Sequence, residues 1–173
     1  MSKILEKLRG DDLRSIGPID EVIAEVGDDQ TRFDELFKGV FHNEPGIRMR
    51  AADGIQKIIV KFPRLLQKHK SRLIENLDDF EQSQVRWHIP LLFGALQLDS
   101  SEIPQIVDTL QRWFSVEKKS QIVKVNCLQG LADVVLHHNL DREWLADFIE
   151  NAMETGSASV RARGRKLLKK LPR

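Results

Sequence analysis

From residue 31 onward the apolar positions recur in blocks with helical spacing. Phe33, Leu36, Phe37, Val40 and Phe41 stand at i, i+3, i+4, i+7 and i+8, the face of one amphipathic helix. Asn43-Glu44-Pro45-Gly46 breaks the pattern. A second face follows, made by Ile47, Ala51, Ile55, Ile58, Ile59 and Phe62. The same pair of faces returns three times. First helices are predicted at about 64–77 (Leu65, Leu66, Leu73, Ile74, Leu77), 102–115 (Ile103, Ile106, Val107, Leu110, Trp113, Phe114) and 141–153 (Trp144, Leu145, Phe148, Ile149, Ala152). Second helices are predicted from Val85, Val123 and Val160. Their openings, Ile47, Val85, Val123 and Val160, are 38, 38 and 37 residues apart. A fixed period of that size predicts an α-solenoid, in which each helix pair buries its apolar faces against the next.

Local signals agree. Ser120 and Ser157 stand three residues before Val123 and Val160, where a hydroxyl accepts an orphan helix N–H. Pro90 lies inside the second helix of the second pair and predicts a kink or a late start there. Ahead of the array, residues 2–9 predict a short helix with Ile4, Leu5 and Leu8 inward. Gly17-Pro18 opens another, with Pro18 at its first position and Ile19, Val22, Ile23 and Val26 as the stripe. No strand pattern with period two competes.

The expected fold is therefore all-α. It is a right-handed superhelix of about four helix pairs (about 31–62, 63–98, 99–138 and 139–173) behind an N-terminal helical cap, 1–30, together one domain. Each second helix opens on an apolar-then-basic step: Ile47-Arg48, Val85-Arg86, Val123-Lys124 and Val160-Arg161. In this the array resembles the HEAT-repeat family over about residues 31–171. The resemblance implies a scaffold that holds protein partners or, in some members, nucleic acid. The family's aspartate, about six residues before the basic position, is replaced here by His42, Phe80, Lys118 and Thr155. The usual Asp-to-Arg ladder is accordingly expected to be weak or displaced.

Charge sharpens the candidates. The first 35 residues hold ten acidic and five basic side chains, whereas residues 156–173 hold seven basic and no acidic ones. An acidic head and a basic tail are thus hidden in a net charge of +1. Equivalent residues of a solenoid's second helices form rows on its concave side. The row one place after each opening is Arg48, Arg86, Lys124 and Arg161, and the row three places after is Arg50, His88, Asn126 and Arg163. With Arg165 these are the binding candidates. For the first row a structural role, bonding helix ends of the adjacent repeat, is the preferred reading. In the second row, Arg50 shares what reads as a solvated face with Lys57 and Lys61.

A protein partner on the concave face is the preferred reading. Binding of DNA or RNA through the basic C-terminal pair is the alternative, and self-association of acidic head with basic tail is a third. Some alkylpurine DNA glycosylases resemble the chain in outline, and Trp113 with Glu117, or Trp87 beside Arg86, would supply the aromatic and charged groups of such a cleft. No matching motif accompanies them. The histidines (His42, His69, His88, His137, His138) have no HxxxH or HExxH spacing, and no phosphate or dinucleotide loop occurs. No metal, cofactor or catalytic residue is expected, and Cys127, aligned with Ala51, reads as a small core residue. The N-terminal residues are charged at once and the chain has one cysteine, so the expected location is cytoplasmic, away from membranes.

Overall fold

The computed structural model describes residues 2–171. Among them the chain is all-α, with eleven α-helices, three short 3-10 segments and no strand. Among the described residues no helix is long and apolar enough to cross a membrane. The chain falls into two compact units, one ending at Leu96 and the other beginning at Gln97. That division lies close to the boundary expected between the second and third helix pairs.

The first unit opens with α1 (Lys3–Lys7), whose N-terminus is capped by Ser2 Oγ accepting from Leu5 N. Ile4, Leu5 and Leu8 are buried, as their spacing predicts. Helix α2 (Ile19–Val26) begins one residue later than expected, with Pro18 as its cap residue. Asp29 caps α3 (Gln30–Lys38), which tightens into a 3-10 turn over Gly39–Phe41. Helix α4 (Pro45–Ile59) is the centre of this unit. Helices α2 and α3 both pack on it, and Ile47, Ala51 and Ile55 are fully buried.

The second pair departs from the pattern. A single helix over 64–77 is expected, but two short ones form, α5 (Arg64–Gln67) and α6 (Lys70–Glu75), followed by a 3-10 turn at Leu77–Asp79. The step is at His69, whose backbone leaves helical geometry (φ −99°, ψ 3°). Its ring stacks on Phe37, with centroids 4.0 Å apart. Its partner helix is shorter still. Helix α7 (Ser83–Arg86) ends four residues before Pro90, and a 3-10 run over Ile89–Ala95 replaces the rest. The proline ring excludes the carbonyl four residues back from a regular α-turn, so α7 stops where that carbonyl lies. The expected kink is a full break.

The second unit is regular. Its helices are α8 (Ile103–Val116), α9 (Gln121–His137), α10 (Arg142–Thr155) and α11 (Ala158–Leu168). Ser120 and Ser157 accept from Val123 N and Val160 N, as their positions predict, and Asp141 caps α10. Helix α9 packs against α8, α10 and α11. Helix α11 crosses α10 closely at Gly164, where a Cβ would lie 2.4 Å from Met153 Sδ and would displace that side chain. Cys127 is fully buried, as expected of a core residue.

Candidate functional site

The row one place into each second helix is spent largely inside the molecule. Arg48 Nη1 donates to the carbonyls of His42 (2.8 Å) and Asn43 (2.9 Å), and its Nε donates to Gln82 Oε1 at 2.8 Å. Arg86 Nε donates to the Phe80 carbonyl, and Arg161 Nη1 to that of Gly156. In each case the guanidinium turns back onto the loop that precedes its own helix and caps carbonyls left open there. A lysine lacks that fork. Lys124, at the same place in α9, instead sets its ammonium over the Phe114 ring, 5.1 Å from the centroid. The three arginines of this row thus each bond backbone carbonyls.

The row three places in contains the largest departure from expectation. Arg50 is not on a solvated face; it is 2 % exposed. Its Nη1 donates to Leu8 O and Gly10 O, both at 2.9 Å, its Nη2 to Asp12 O at 2.8 Å, and its Nε to Ser15 O at 3.0 Å. The loop between α1 and α2 therefore wraps one guanidinium with four carbonyls. Two glycines with positive φ, Gly10 (141°) and Gly17 (58°), make that path possible. Helical periodicity groups Arg50 with Lys57 and Lys61, but it carries no information about a loop from 35 residues earlier folding over the helix.

His88 and Arg163 of that row reach back toward the preceding helix pair. His88 Nδ1 lies 2.7 Å from Gln56 Oε1 and 4.0 Å from Asp53 Oδ1. Arg163 Nη1 donates to Gln129 Oε1 at 2.5 Å. Asn126 is half-buried and Arg165 is exposed.

What the Arg50 loop creates is a cavity of about 380 Å³ in the first unit. Leu13 and Ile16 of the loop, Met49 of α4 and Trp87 at the end of α7 form its apolar walls. Asp53, Gln84 and His88 supply its polar groups, and Arg14 stands at the rim, almost wholly exposed. Ile16 is 48 % exposed. Burial pushes the His88 imidazole below its ordinary pKa despite the field of Asp53, and Lys57 adds to that push. Asp53 is paired with Lys57 at 2.8 Å. At neutral pH the site thus joins apolar walls to an uncharged imidazole and a paired carboxylate. This is the composition of a pocket that takes an apolar group and orients it with a few polar contacts.

Of the residues singled out from sequence, Arg50, Trp87 and His88 line this cavity. Leu13, Ile16, Met49, Asp53 and Gln84 were missed as site residues. One signal was available for Leu13 and Ile16, which are apolar residues in a loop with no helix face to serve. Trp113 is 2 % exposed in the core, and Glu117 Oε1 accepts the Lys119 and Ser120 N–H groups, so these two do not form an open cleft. Trp144 stacks on Phe148. Among the described residues no group of three or more His, Cys, Asp or Glu side chains is placed to hold a metal ion. Comparison with protein-family models, with curated proteins and with solved structures finds no match to this chain.

Proposed function

We propose that this chain is a non-enzymatic binding protein whose Trp87 cavity receives an apolar side chain of a protein partner. The observation that carries the reading is the half-buried indole of Trp87 facing Leu13, Ile16 and Met49 across an open cavity. Large aromatic anchors in water-excluding pockets dominate the energetics of protein–protein recognition. The surrounding polar rows do not compete for this role, because Arg48, Arg50, Arg86 and Arg161 are bonded to backbone carbonyls. In this reading the four helix pairs belong to a right-handed, HEAT-like superhelix, and the cavity lies on its second-helix side. The recurring arginine that caps the preceding loop supports a common repeat.

Selection from a displayed peptide library on the intact chain tests the proposal. Peptides that share an apolar anchor should emerge. Their affinity should fall at least tenfold on Trp87→Ala, about 1.4 kcal/mol or more. Ile16→Asp, a substitution at an exposed position, should weaken them comparably without altering the melting temperature. Peptides that bind both variants as well as the native chain would contradict the assignment.

A further inference from the structure

A second cavity, of about 450 Å³, lies in the second unit and has the opposite character. It is lined by Gln129 of α9 and by Arg163, Lys166, Leu167, Lys169 and Lys170 of α11 and its continuation. Lys166, Lys169 and Lys170 are exposed and enter no hydrogen bond or salt bridge among the described residues. Arg163 is different. It is half-buried and held in place by Gln129 Oε1, which uses one of its five N–H donors and leaves the guanidinium fixed with the others available. Gln129 is fixed in turn, since its Nε2 donates to Asp133 Oδ1 at 2.7 Å.

The charges facing this cavity are nearly all of one sign. Helix α11 carries no acidic residue, and six cations stand within residues 161–170. Opposite them on α9 are Asp133 and His137. Asp133 is the one carboxylate there; burial raises its pKa above the ordinary aspartate value, while Gln129, Lys170, Arg163 and His137 act against that rise. Offsetting the dipole of a helix C-terminus needs cations in the last turn only. It does not account for an arginine pre-oriented seven residues before Lys170. Nor does the segment suit a bilayer surface, because residues 158–171 hold no aromatic side chain, and Val160, Leu167 and Leu171 are buried.

We infer that the α9–α11 face of the second unit binds the phosphate backbone of a nucleic acid through Arg163, Lys166, Lys169 and Lys170. At a rise of about 1.5 Å per residue, Arg163 to Lys170 spans about 10 Å along the helix. A duplex strand presents a phosphate about every 3.4 Å of its axis, so about three phosphates fit that span. These contacts are electrostatic and select for charge rather than base sequence. The site is separate from the Trp87 cavity and stands whether or not that one binds a peptide.

The test is fluorescence anisotropy of a labelled mixed-sequence duplex with the full chain at about 50 and 200 mM salt. Three phosphate contacts on duplex DNA predict a loss of about 40-fold in affinity across that range, from a slope near −0.9 per contact. Lys166→Gln with Lys170→Gln should flatten the slope by about two contacts while leaving the far-UV circular dichroism unchanged. Lys38→Glu with Lys61→Glu, exposed positions in the first unit, should leave the binding within about twofold, the range expected of a long-range charge effect at this ionic strength. No binding at the lower salt would overturn the inference, as would equal losses in the two pairs of variants. Stronger retention on phosphatidylserine-containing vesicles than on the duplex would overturn it too, assigning the cations to a lipid surface.

Discussion

Arg50 ties the loop between α1 and α2 to helix α4. Four of its five N–H donors are used on carbonyls of one loop, and hydrogen bonds to a charged group each contribute about 1.5–3 kcal/mol. Removing the side chain leaves those carbonyls facing a void. Arg50→Ala is therefore expected to destabilise the chain by about 3 kcal/mol or more, read by urea denaturation. Arg50→Lys should recover little of it, because a single ammonium cannot span carbonyls spread around a planar fork. Full stability in the lysine variant would show that charge alone, rather than geometry, holds the loop. The reason sequence reasoning put this residue in solvent is physical. Its neighbours along α4 do give a polar stripe, and Lys57 is exposed as that stripe predicts, but the loop that claims Arg50 has no periodic signature. Arg48, Arg86 and Arg161 are legible in part: their row predicts a structural role at helix ends of the adjacent repeat, whereas the carbonyls they bond lie on the loop before their own helix. The carbonyls they find lie five or six residues upstream on their own side of the turn.

At the scale of elements, what was legible follows regularity. In the second unit the caps at Ser120 and Ser157 match the pattern and each predicted stripe lies on a long, continuous helix, although Ile103, Val107, Phe114, Trp144, Phe148 and Leu168 are only half-buried. In the second pair the pattern gives the right inward residues but the wrong elements. Leu66 and Leu73 are both fully buried, yet the helix that would join them is broken at His69. The break has a tertiary cause. Asp34 Oδ1 lies 2.7 Å from His69 Nε2 and accepts from Gln30 Nε2 at 2.9 Å, and Oδ2 accepts from Lys68 Nζ. Burial alone would raise the Asp34 pKa, but the hydrogen bonds from Lys68, Gln30 and His69 outweigh it and hold the carboxyl at about 2. Burial also lowers the His69 pKa, so at neutral pH this is an uncharged imidazole donating to a carboxylate. A carboxyl with a depressed folded pKa stabilises above its ordinary value, near 3.8, and loses that contribution as pH falls toward 2. Asp34→Asn should therefore cost about 1 kcal/mol at neutral pH, allowing for the exposure of Lys68, and should flatten the stability curve between about pH 4 and 2. An unchanged acid limb in the variant would rule out Asp34 as its source.

The whole molecule is less legible than its helices. Sequence periodicity predicts one array, and the chain falls into two compact units with different surfaces. The first has an apolar cavity roofed by a loop; the second has a basic one. The first unit also holds two histidines, His69 and His88, that burial shifts below the ordinary value of 6.5. Asp34 raises the pKa of His69 while Lys68 and Arg72 lower it; for His88 the corresponding groups are Asp53 and Lys57. In both, burial wins. A histidine with a depressed folded pKa favours the fold above about 6.5, and its contribution is lost as pH falls through the folded value. Stability should thus decline as pH falls below about 6.5, and hydrogen exchange should show the loss first in residues 2–96. His69→Gln with His88→Gln should shrink that decline, whereas an unaltered decline would place its origin elsewhere. The Trp87 cavity depends on the same unit, so a peptide bound there should also leave more readily at pH 5. The most direct measurement of the central claim is ¹⁹F NMR of the chain labelled with 5-fluorotryptophan. Three tryptophans give three resonances, and Trp87→Phe identifies one of them. On titration with a selected peptide the Trp87 resonance should move to saturation while that of buried Trp113 stays fixed. A Trp87 resonance that remains in place while the peptide binds would contradict the account.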